Sequence, residues 1–95
     1  MENPRVIVVN LHVGDICVFL VGDDLEPHLI MADEEGEHRN AGYSACDIAN
    51  NIAKALLCDG QPRYFDAPAS LTQPEEWNYD DVGAWLQDGL VSGKL

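Results

Sequence analysis

Cations are scarce in this chain: five Lys and Arg stand against seventeen Asp and Glu in 95 residues, a net charge of −12. Binding to nucleic acid or to an anionic membrane surface requires a basic patch, which so few scattered cations do not assemble, and neither is expected. Long apolar runs are missing as well, and nothing approaches the roughly 18 residues of a membrane span. The opening "MENPRVIVVNLHVGD" carries an early acidic residue and only a short apolar run. It does not read as a signal peptide, and a cytoplasmic location is the expectation.

Cysteine is equally sparse. Cys17, Cys46 and Cys58 form an odd set without C-x-x-C spacing, which argues against a disulfide framework or a zinc site, and they read as small buried residues. There is no Gly-rich phosphate loop; Gly14, Gly22, Gly36, Gly42 and Gly60 are each explained as turns or caps. "DEEGEHRN" offers carboxylates and His38, yet it lacks the alternating oxygen ligands of an EF-hand, and no H-x-x-x-H pair exists. Neither a metal nor a cofactor is expected.

Nucleophilic chemistry fares no better. Cys46 falls in the first turn of a predicted helix, where the dipole favours a thiolate, but Asp47 beside it opposes that effect and no Ser, His and Asp set presents itself. The chain therefore reads as a non-enzyme.

What is present argues for a fold. With 46% hydrophobic residues, two Trp, three Tyr and two Phe, residues 1–95 lie outside the disordered regime and form one domain. "RVIVVNL" (5–11) and "DICVFLV" (15–21) are β-rich and joined by "HVG", a hairpin; "HLIMA" (28–32) follows "GDDLEP" as a third antiparallel strand. Ser44 with Asp47 has capping-box spacing, and apolar residues recur at helical spacing from Ala45 to Leu56, so a helix is predicted at 44–58. Gly60 and Pro62 end it. "RYFDA" (63–67) reads as a short fourth strand, "PASLTQPEE" as loop, and Asn78 with Asp81 opens a second helix at 79–90. The predicted class is α+β: a three-stranded antiparallel meander, with that short extra strand, packed by helices.

The strands carry a second signal. In the first strand Val6 and Val8 alternate with Ile7, Val9 and Leu11, and the second strand repeats the pattern, so both faces of the sheet are apolar. Both must be covered. The helix at 44–58 covers one; the other falls to the C-terminal helix with Trp77 and Trp85, to a second copy in a homodimer, or to a partner.

The remaining feature is anionic. Asp23, Asp24 and Glu26, then Asp33, Glu34, Glu35 and Glu37, then Glu75 and Glu76 interleaved with Trp77 and Tyr79, all fall in predicted loops or helix starts. Solubility of a small domain needs a net charge of magnitude about 2–8, which this chain exceeds. Such carboxylates resemble a phosphate track, and the partner they fit is the basic groove of a nucleic-acid-binding protein, with Trp77 and Tyr79 as interface anchors.

Two resemblances accompany this reading. In composition, size and lack of a catalytic motif the whole chain resembles phage-encoded inhibitors of host defence, the anti-CRISPR proteins and DNA mimics. That likeness implies a cytoplasmic, non-enzymatic inhibitor acting by protein–protein contact in an infected host cell. Residues 5–62, a strand–strand–strand–helix order ending in "AKALLCDGQP", are similar to the HicB antitoxin family and its partial double-stranded-RNA-binding-like fold. It implies an antitoxin-like partner protein. A small structural or assembly subunit using the second apolar sheet face is the third reading.

Overall fold

A computed structural model describes residues 2–34, 44–58 and 60–95. Four strands, β1 (Arg5–Asn10), β2 (Ile16–Val21), β3 (Pro27–Asp33) and β4 (Arg63–Asp66), form one sheet in the order β3-β2-β1-β4. Helix α1 (Ala45–Ala55) lies between β3 and β4 in the chain, and α2 (Tyr79–Ser92) closes it. The α+β class, the meander and the two helices agree with the sequence reading.

Each turn has a local cause. Leu11 and Asp15 close the first hairpin through Leu11 N–H donating to the Asp15 carbonyl at 2.9 Å, and Gly14 supplies the left-handed residue with φ 95°. The second connection places Leu25 at φ 60°, and the Asp24 Oδ1 accepts from Glu26 N–H at 3.1 Å to hold the bend. β2 and β3 then pair antiparallel with an irregularity: Val18 faces Met31, Phe19 faces Leu29, and Ile30 is the extra residue. β4 pairs with β1 in parallel, Val8 opposite Tyr64, as the crossover through α1 requires.

Both helices start as the capping signals predict. Ser44 Oγ accepts from Asp47 N–H at 3.1 Å, while at α2 Asn78 and Asp81 exchange side-chain to backbone bonds of 3.0 and 3.2 Å, a full capping box. Their ends differ from expectation. α1 stops at Ala55 rather than 58, with Leu57 at φ 51° behind it; Gly60, also left-handed, serves the turn into β4. α2 runs two residues past 90, to Ser92, and Gly93 at φ 76° caps it. Within the loop read as irregular, 69–72 winds one short 3-10 turn.

The double apolar register is resolved by two layers. Val6, Val8, Ile16 and Val18 pack against Ala49 and Ala53 of α1, while Ile7, Val9, Cys17, Phe19 and Val21 pack against Val82 and Leu86 of α2. Helix therefore covers sheet on both faces, and the second cover comes from the same chain. Gly83 lies over Phe19 in this layer, where an added Cβ would make an ordinary contact 3.6 Å from the ring. The cysteine expectation is corrected in part: Cys17 is buried, but Cys46 is exposed and Cys58 half-buried.

Candidate partner-binding surface

The topology sorts the carboxylates between the two ends of the sheet. Because β3 runs antiparallel to β2, the β2–β3 connection and the end of β3 lie a strand length apart, about 20 Å for six residues at about 3.3 Å each. Asp23, Asp24 and Glu26 occupy one end. Asp15, Asp33 and Glu34 occupy the other, with the start of α2 alongside.

At that second end three chain segments meet on one phenol. The Tyr79 hydroxyl donates to Glu34 Oε1 at 2.8 Å and lies 3.4 Å from Asp15 Oδ2. Trp77 braces it edge-on, ring centroids 5.3 Å apart at 84°. Burial, the Glu34 hydrogen bond and the nearby carboxylates raise the Tyr79 phenol well above its ordinary range. Cys17 beneath is pushed up to about 12, chiefly by burial and then by the charges of Asp15 and Glu34. Both groups stay neutral in an anionic field, so the hydroxyl is a fixed donor that orients Glu34.

The sequence-predicted residues fare differently. Glu34, Glu75 and Glu76 are exposed at or near this end. Asp33, expected on the surface, is instead buried at 1% exposure, because the period of β3 turns it inward opposite Ile16. Glu35 and Glu37 lie outside the described residues. Trp77 and Tyr79, expected as free anchors, are half-buried and packed on the α2 core cluster. Asp15 was not singled out by sequence; its turn position next to Gly14 gave no sign that Tyr79 would reach it.

At the first end Asp23, Asp24, Glu26 and His28 are exposed and line a cleft together with Glu2. Asn3 reaches in, its amide 2.6 Å from Asp23 Oδ2. Donor atoms of Asp24, Glu26 and His28 all lie within 4.8 Å of one another, close enough for these three side chains to share a divalent cation. Alternation through the turn into β3 brings them to one side, a pattern that D-x-E-x-H carries in the sequence without announcing it.

Reactive chemistry has one further place to reside. Cys46 Sγ accepts from the Asn50 amide at 3.2 Å, and the Tyr64 hydroxyl also bonds to it; partial burial first, and Cys46 next, push Tyr64 up to about 12. A phenol so raised holds its proton. Neither partner is a base that would take the thiol's proton.

No helix of the described residues is long and apolar enough to cross a membrane. No protein family, no curated protein and no solved structure matches this chain.

Proposed function

We propose that this protein is a non-enzymatic, acidic interaction protein that occupies the basic nucleic-acid-binding surface of a protein target, an inhibitor of the anti-CRISPR or DNA-mimic type. The observation that carries the reading is the convergence of Asp15, Glu34 and the α2 start on Tyr79, which fixes carboxylates in place before any partner arrives. Anions held in advance lose little freedom on binding, so they compete with a phosphate backbone more effectively than a floppy acidic tail. The cluster at Asp23, Asp24 and Glu26 adds a second anionic contact at the far end of the sheet. An antitoxin-like role would use the same carboxylates. A structural subunit would need an apolar sheet face, and α2 covers it.

The test captures the partner from a bacterial lysate at low salt and measures its binding to two charge variants. One carries Asp23→Asn, Asp24→Asn and Glu26→Gln; the other carries Glu34→Gln, Glu75→Gln and Glu76→Gln. Both variants should associate several-fold more slowly, with a shallower salt dependence, because the Debye length falls from about 10 Å at 0.1 M to about 3 Å at 1 M. A duplex DNA should displace the protein from its partner. Unchanged association rates in both folded variants would show that these carboxylates only solvate the chain.

A further inference from the structure

The edge strand β3 is built differently from its counterpart at the other side of the sheet. β4 has four residues with Arg63 and Asp66 at its ends, a short charged edge of the kind that resists pairing. β3 has seven, and among the described residues no strand pairs with its outer side. On this strand Leu29 and Ile30 stand 43% and 42% exposed, Leu29 lining a groove with Gly83, Ala84 and Gln87 of α2. The irregularity opposite Val18 and Phe19 leaves Ile30 without a partner on β2, and no lysine lies on this strand.

We infer that β3 accepts an extended strand from the basic partner, with aliphatic side chains against Leu29 and Ile30 and Lys or Arg at both ends; the inference rests on the reading under Proposed function. Charge selects this occupant. Glu26 precedes β3 and Glu34 follows it, eight residues apart, so an added strand meets a carboxylate at each end, about 26 Å apart at about 3.3 Å per residue. A second copy of the chain is opposed by charge in the register that centres the strand. Antiparallel pairing about a two-fold axis at Ile30 would lay Glu26 of each copy against Glu34 of the other, like charge on like charge. Main-chain hydrogen bonds would supply affinity, the exposed aliphatics register, and the end carboxylates orientation and polarity preference.

Two synthetic peptides test this. One alternates Val and Thr between paired lysines at each end, long enough to reach both carboxylates; the other replaces the centre with Gly and Ser at identical charge. Titrated into the isotope-labelled protein at low ionic strength, the Val/Thr peptide should shift the amides of 27–33, slow their hydrogen exchange, and bind at least about ten-fold more tightly, worth about 1.4 kcal/mol. The folded variant Leu29→Asn with Ile30→Asn, which alters no charge, should lose that difference. Equal affinities with shifts confined to the carboxylate clusters would overturn strand addition and leave the anionic surface standing. Binding of neither peptide at any ionic strength would overturn both.

Discussion

Leu86→Ala is the substitution that examines the two-sided sheet most directly. Leu86 is fully buried, four residues from buried Val82 on α2, and lies in one cluster with Ile7, Val9 and Phe19. Three carbons leave the core, about 2.4 kcal/mol at about 0.8 kcal/mol each, and the void they leave raises the cost to about 3–4 kcal/mol. For a domain of 95 residues each kcal/mol moves Tm by about 4–8 °C, so the melting point should drop by about 12–30 °C. Val91→Ala is the control: at 66% exposure on the same helix it should change stability by no more than about 0.5 kcal/mol. Circular dichroism melts at two protein concentrations read the result. The Leu86→Ala loss should not depend on concentration, since the cover comes from the same chain. A cost below about 1 kcal/mol, or one that vanishes as the protein is concentrated, would refute intramolecular covering.

Alkaline pH offers a second check. The folded-state Tyr79 phenol lies above its ordinary value of 10.0, so its contribution is fully present below about pH 10 and is lost as the pH climbs from there toward the folded value. Stability measured by urea titration should therefore fall over that window, and Tyr79→Phe should flatten the fall while costing about 1 kcal/mol at neutral pH for the lost bond to Glu34. An unaltered alkaline limb in that variant would assign the effect elsewhere. Thiol labelling in native protein should be ordered by burial: Cys46 reacts first, Cys58 later, and Cys17 only on unfolding. Fast modification of Cys17 under native conditions would contradict the packing of β2.

Much of this fold is legible from short windows. The Asn78 and Asp81 pair foretold a reciprocal cap because a capping box involves only four consecutive residues. The apolar alternation of 5–11 and 15–21 demanded two covering layers because side-chain period in a strand is invariant. Helix ends proved less legible. Gly60 invited a stop near 58, yet the left-handed residue behind the helix is Leu57, and Leu56 and Leu57 stand 47% and 87% exposed. The candidate surface was half visible: acidic clusters are obvious in a string of letters, their location on the molecule is not.

The sequence by itself determined the strands, the helices, the two apolar faces and the excess of negative charge, all properties of neighbouring residues and of composition. Only the tertiary structure decided that β4 lies parallel beside β1, that α2 rather than another chain covers the second face, and that Asp33 points into the protein while Glu34 points out. It also placed the clusters of 23–26 and 33–34 at opposite ends and brought Tyr79 to Glu34 across 45 residues. The physical reason is that propensity, period and capping act over one or two turns of chain, whereas strand order and the meeting of distant side chains depend on how the whole chain closes around its core.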